Sequence, residues 1–212
     1  HNQARVWADI HLRLSDDPTF DVFECDPYYD PLDMIDSNLP DIVLISTRSN
    51  QNWLDLGRRI ARNYPNTKVI ILSPNTNDEQ IFNIIRIGAI ACINTNNLDS
   101  ELLDTLILAS NGKYPINDAL LTSPELARRV LTHFHEAVYM ENVADEAIIP
   151  LNKQEVLILN CVANGNTNEQ IASLLQISEQ TLKNYVSAIL RKMNANDRAL
   201  AVLKATRGSL NV

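Results

Sequence analysis

The 212-residue chain sets 18 Lys and Arg against 26 Asp and Glu, a net charge of −8, with 45% apolar residues. That apolar share suits a globular protein of one large or two small domains, and no run approaches the roughly 20 apolar residues of a membrane span. The opening "HNQARVWADIH" lacks the apolar stretch of a secretory signal.

Cys25, Cys92 and Cys161 stand far apart among apolar neighbours, which predicts reduced core thiols in a cytoplasmic protein. There is no C-x-x-C, and His133 and His135 lie two apart, on different helix faces, so neither a metal site nor another cofactor is expected.

In chain order, residues 2–15 read as a helix with Val6, Ile10 and Leu14 on one side. Four short runs read as strands: "FDVFEC" (20–25), "DIVLIS" (41–46), "KVIILS" (68–73) and "AIACIN" (89–94). They are rich in β-branched residues and mostly apolar throughout, as strands covered on both faces are. Helices are expected between and after them at 30–38, 50–63, 77–87 and 98–111, with Asp99 a candidate cap for the last. Strand–helix alternation at this spacing predicts right-handed crossovers and a doubly wound parallel α/β sheet. A helix at the very start lacks the strand that would complete its unit, so the first strand is expected to be absent from residues 1–115.

The stretch "MENVADEAIIP" (140–150) is acidic and ends in Pro150, the mark of a linker. Beyond it the pattern holds only short helices, at 152–163, 168–174, 179–193 and 196–207. Gly165 suits the turn in "ANGNT", and Ser178 suits the N-cap of the third helix, with Glu179 at its positive end. The second and third helices with their short connection predict a helix-turn-helix inside a four-helix domain. From Ile148 onward there are seven basic residues against four acidic ones, a net of +3, while the rest carries −11. An acidic body with a basic tail predicts that only the tail meets an anionic partner.

Leu182, Val186, Ile189, Leu190 and Met193 recur at three- and four-residue steps and are expected to pack on Ile171, Leu174 and Leu175 and on Val156, Leu157 and Leu159. Gln180, Lys183, Asn184, Ser187 and Arg191 fall on the opposite side, and no acid occurs from 180 to 196. A solvated face would mix Glu with Lys; this one carries donors suited to phosphates and base edges in a major groove. The net of +3 is modest, so a single copy should bind weakly and a homodimer is expected. In the last helix Ala199, Leu200, Val202 and Leu203 form a wide apolar stripe, able to hold a second copy or to close the domain's own core. No P-loop, dinucleotide-binding, nucleophile-elbow or zinc-protease pattern is present, which argues against an enzyme.

Residues 151–202, "LNKQEVLILNCVANGNTNEQIASLLQISEQTLKNYVSAILRKMNANDRALAV", closely resemble the DNA-binding domain of NarL/LuxR-type transcription regulators. The resemblance implies double-stranded DNA as partner, a recognition helix over 179–193 and a last helix that pairs two copies. Carried over by residue, it implies DNA contacts from Thr181, Lys183, Asn184, Ser187 and Lys192, with Ser178 near phosphate. Tyr185 stands where the family more often has histidine. The front half resembles the flavodoxin-like receiver domain that precedes such domains, with "NLPDIVLIST" (38–47) as its third strand and "LTSPELARRVL" (121–131) as the connector helix. The family's phosphorylated aspartate is here Ser46, and its conserved lysine is here Thr95 or Asn94; only the hydroxyl closing the fourth strand remains, as Ser73. The resemblance therefore implies a two-component regulator whose front half is a pseudo-receiver without aspartyl phosphorylation. A second expectation is that the vacated pocket (Ser46, Thr47, Ser73 and Thr95) takes a small molecule or a protein partner that controls DNA binding.

Overall fold

The structure is a computed structural model describing residues 2–26, 28–48, 52–141 and 148–209, with side chains described over 5–26, 28–48, 52–138 and 148–202. The front half comprises α1 (Asn2–Ser15), α2 (Pro31–Asn38), β1 (Ile42–Ser46), α3 (Trp53–Asn63), β2 (Lys68–Ser73), α4 (Asp78–Arg86), β3 (Ala91–Asn94) and α5 (Leu98–Ser110). The strands form a parallel sheet in the order β1-β2-β3, with Ile42 opposite Lys68, Ser46 opposite Leu72 and Ser73 opposite Asn94.

Alternation along β2 explains why its sequence is apolar throughout. Val69 and Ile71 enter one core with Ile45, Ile60, Ile84 and Ile85, while Ile70 and Leu72 enter the other with Ile10, Leu14, Leu102 and Leu106. Successive strand residues point to opposite faces, and helices cover both. Gly88, at φ +86, turns the chain from α4 toward β3, and a side chain there would meet Ala61 Cβ at 3.2 Å.

The expected strand at 20–25 does not form. Phe20 and Val22 pack on the second core, but Asp21, Glu24 and the half-exposed Phe23 leave this segment one apolar side only, and it docks by that side without strand pairing. Asp99 does not cap α5; it bonds Arg13 of α1, and Asn97 precedes the helix without a side-chain cap bond. Cys25 is exposed rather than a core thiol, while Cys161 is buried.

The connector is longer than expected. It is two helices, α6 (Ile116–Thr122) and α7 (Pro124–Glu141), separated at Ser123, where Pro124 cannot extend a preceding helix. Ile116 N–H bonds the Ile90 carbonyl at 2.9 Å and ties α6 to the sheet. The tail holds α8 (Lys153–Ala163), α9 (Asn168–Leu175) and α10 (Glu179–Ser209). The helices expected at 179–193 and 196–207 are thus one helix. No Pro or Gly falls between them, and the Asn196 side chain is engaged by Ile149: its amide donates to the Ile149 carbonyl at 3.0 Å and its oxygen accepts from Ile149 N–H at 2.8 Å.

One core runs without interruption from the sheet through Leu126, Val130 and Phe134 of α7 to Ile158, Leu159, Ile171, Leu182, Val186, Ile189 and Met193 of the tail. Leu174 and Leu157, expected among these, are 64% and 43% exposed; Ile158 and Val162 fill the space instead.

Candidate nucleic-acid interface

The tail is built from capped helices. Asn152 and Glu155 form a capping box on α8, and Thr167 and Gln170 form another on α9. Each pair satisfies two backbone donors that a helix start leaves free. α9 closes through Gln176 at φ +55, a left-handed residue that reverses the chain. Ser178 then starts α10 as expected: its hydroxyl accepts from Thr181 N–H at 3.0 Å. This places α9 and α10 as a helix-turn-helix, with Leu182, Val186, Ile189 and Met193 buried.

The polar side of α10 divides into groups with different neighbours. Gln180 and Asn184 are exposed and bonded to each other, Gln180 Nε2 to Asn184 Oδ1 at 3.1 Å. Arg191 is exposed too. These three, with Ser178 and Thr181 at the helix start, have the chemistry for base edges and phosphates. Tyr185 instead packs partly buried against the main core.

Lys192 was expected on DNA, but its Nζ lies 2.8 Å from Glu155 Oε2 and 3.2 Å from the Pro150 carbonyl. Glu155 is only 2% exposed, and a buried carboxylate requires a cationic partner. The pairing binds α8 to α10.

Lys183 and Ser187 are held by the connector. Lys183 Nζ is 2.7 Å from Asp118 Oδ1. Asn117, 5% exposed, donates to Ser187 Oγ at 2.7 Å and to the Lys183 carbonyl at 3.3 Å. Its Oδ1 is buried without a partner, an arrangement that costs free energy. α6 therefore occupies part of the face that the sequence assigns to DNA.

A second tie lies further along α10. Asp197 accepts from Arg86 Nε of α4 at 2.9 Å and lies 2.7 Å from His133 Nε2 of α7. Burial alone would raise the Asp197 carboxyl; the hydrogen bonds and charges of His133 and Arg86 outweigh it and hold the group below the ordinary carboxylate range. Phe82 stands edge-on to the His133 ring at 5.8 Å and under Arg86 at 6.0 Å. Arg128 Nη2 also donates to the Ala163 carbonyl at 2.6 Å, joining α7 to the end of α8. Sequence reading missed Asn117, Asp118, Arg86, His133 and Asp197. Asp197 alone carried a signal: it is the one acid after Glu179.

Of the four expected dimer residues, Ala199 and Leu200 are half-buried and Val202 is 51% exposed; the side chain of Leu203 lies outside the described ones. At the sheet's carboxyl edge the four hydroxyl residues do come together. Thr47 Oγ1 donates to Ser73 Oγ at 3.5 Å, and Thr95 N–H bonds the Ser73 carbonyl at 3.0 Å. Ser73 Oγ donates to the Asn75 carbonyl at 2.7 Å, and Ser46 Oγ accepts from Arg48 N–H at 3.2 Å. Ser46 and Ser73 are 7% and 1% exposed, and their hydroxyls are bonded to the turns that follow their strands.

The family described as GerE, bacterial regulatory proteins of the luxR family, matches residues 150–205. The transcriptional regulatory protein YxjL of Bacillus subtilis (strain 168), itself described as uncharacterized, is 31% identical over 172 residues, covering 81% of this chain and 76% of that one. The transcriptional regulatory protein LiaR of the same organism is 26% identical over 175 residues, covering 81% and 77%. A solved structure of the RcsB response regulator of Salmonella typhimurium covers 93% of each chain at 17% identity, with a TM-score of 0.42.

A parallel receiver-like sheet joined to a helix-turn-helix defines the class, a response-regulator type of transcription factor. The chain belongs to the luxR family of bacterial regulatory proteins and is a transcription regulator with a DNA-binding helix-turn-helix domain.

Proposed function

We propose that the chain binds operator DNA as a dimer through the first half of α10, and that the arrangement described above is a closed one. The observation that carries this reading is the double use of Lys183 and Ser187. Both lie on the acid-free face suited to a duplex, and both are engaged by Asn117 and Asp118 of α6. A carboxylate against a DNA-reading lysine occupies the place a phosphate would take. DNA and α6 then compete for the same groups, and binding requires α6 to withdraw.

The front half is not switched by aspartyl phosphorylation. Ser46 ends β1 where the family's acceptor aspartate stands, and its hydroxyl is buried and bonded to its own turn. A serine hydroxyl is a weak phosphoryl acceptor, and with Thr95 in place of the lysine, that position offers no cation to offset the developing charge. Opening therefore depends on abundance, on a bound molecule, or on DNA itself.

The test is selection of duplexes from a random pool by the full chain, followed by footprinting and light scattering with and without the selected DNA. The expected result is protection of two half-sites about one helical turn apart by a dimer, lost in Lys183→Ala. Failure to enrich any sequence, with equal weak retention by Lys183→Ala, would reject the reading.

A further inference from the structure

Helices α3 and α10 come together over the turn at Gly88. A side chain there would meet Ala61 Cβ of α3 at 3.2 Å and Asn194 Nδ2 of α10 at 3.7 Å. Arg58 lies one turn before Ala61, and Arg62 one turn after Arg58. Arg191 and Arg198 lie one turn either side of Asn194. Gly57 and Ile60 of α3 and Leu190 and Met193 of α10 are buried, which leaves these arginines, all exposed, on the outer rims of the two helices.

The rim is unpaired in acidic surroundings. Before Ile148, Asp and Glu outnumber Lys and Arg two to one, and other arginines of that part take carboxylates. Arg13 bonds Asp9, Arg86 bonds Asp197 and Arg129 bonds Glu125. None of Arg58, Arg62, Arg191 and Arg198 forms an ion pair with a described residue, and Asp55, one turn before Arg58, pairs with neither arginine of the α3 rim. The tail, by contrast, is short of free cations. Lys192 is committed to Glu155 and Lys183 to Asp118. Its net of +3 is small against a duplex carrying one negative charge per about 1.7 Å.

We infer that this arginine rim is a second contact surface for duplex DNA, gripping the phosphate backbone without reading bases. The planar guanidinium matches phosphate oxygens with two N–H donors at once. An open rim spanning two helices suits an extended polyanion, whereas small molecules are held in enclosing clefts. It is continuous with the polar side of α10 through Arg191. In the same arrangement α6 covers Lys183 and Ser187, so the closed form holds DNA of any sequence, and opening delivers the base-reading groups to a duplex already bound. That order of events rests on the closed reading above; the backbone contact rests only on α3 lying against α10.

The test is fluorescence anisotropy of the full chain with a duplex of random sequence over a series of salt concentrations. The forms are the parent, Arg58→Ala with Arg62→Ala, the same pair changed to Lys, Lys183→Ala, and Arg5→Glu. Arg5 belongs to α1, which packs on the other face of the sheet from α3, and its reversal changes the net charge as much as the alanine pair does. Expected in the alanine pair are affinity at least about fivefold weaker and a slope of log affinity against log salt smaller by about 1–2. The lysine pair, which keeps both charges, should bind near the parent, as should Arg5→Glu. Lys183→Ala should keep its grip on random duplex, which separates this contact from operator reading. Circular dichroism should match the parent throughout. Unchanged affinity and slope in the alanine pair, or an equal loss in Arg5→Glu, would overturn the inference. So would displacement of the duplex by polyglutamate as readily as by unlabelled duplex of equal charge, which would assign the rim to an acidic protein.

Discussion

Asp118 Oδ1 lies 2.7 Å from Lys183 Nζ, so an acid of the connector rests on a lysine of the polar side of α10. Both side chains are over a third exposed, and such a pair contributes at most about 1 kcal/mol. The bond from Asn117 to Ser187 is the better protected of the two, since Asn117 is only 5% exposed. Weak, specific ties of this kind allow exchange for a duplex. Hydrogen exchange of the full chain should therefore speed up at residues 116–122 when operator DNA is added. Unchanged exchange in that segment would mean that α6 stays docked.

Asp197 joins three helices, and its removal should be felt as stability. Asp197→Asn leaves Arg86 and His133 without their shared carboxylate and is expected to cost about 1–3 kcal/mol. The folded group titrates below its ordinary value of 3.8. Its contribution is therefore present above that value and lost as the pH falls through the depressed one. Urea melts of parent and variant should differ near neutrality and converge as the pH falls through the depressed value; a constant difference would contradict the assignment.

Lys192 should behave as a structural residue. Lys192→Ala strips the partner from Glu155, 2% exposed, and is expected to lower stability by about 3 kcal/mol. Replacing Glu155 as well, in Lys192→Met with Glu155→Gln, should recover part of the loss, because no buried charge is then left unpaired. Chemical denaturation of the two variants decides it, and a stable Lys192→Ala would return this lysine to the DNA face.

Acetyl phosphate should leave the mass of the full chain unchanged. Ser46 ends β1 with its hydroxyl bonded to Arg48 N–H, and on the reading proposed above it offers no acceptor. Intact-mass spectrometry after incubation checks this, and a gain of one phosphoryl group on the front half would refute it.

Period and cap chemistry made much of the fold readable. Strands β1, β2 and β3, the turn at Gly165, the Ser178 start and the buried side of α10 all follow from local pattern, because each is fixed by residues within a few positions. What sequence could not supply were contacts across long separations. Asn117 and Asp118 carry no local signal of a role; they acquire one only when α6 docks on α10. Lys192 reads as a DNA contact until Glu155, 37 positions earlier in the chain, is seen to need it. The missing break between Met193 and Asn196 has the same origin, since the Asn196 side chain is used by Ile149 of the linker's end.

The most direct measurement is the affinity of the full chain for its selected operator, by fluorescence anisotropy, in three forms: parent, Asn117→Ala with Asp118→Ala, and Lys183→Ala. If α6 competes with DNA, the double variant binds tighter, by up to about tenfold for 1–1.5 kcal/mol of lost masking, and Lys183→Ala binds more weakly than the parent. Identical affinities in all three forms would contradict both the masking and the assignment of this face of α10 to DNA.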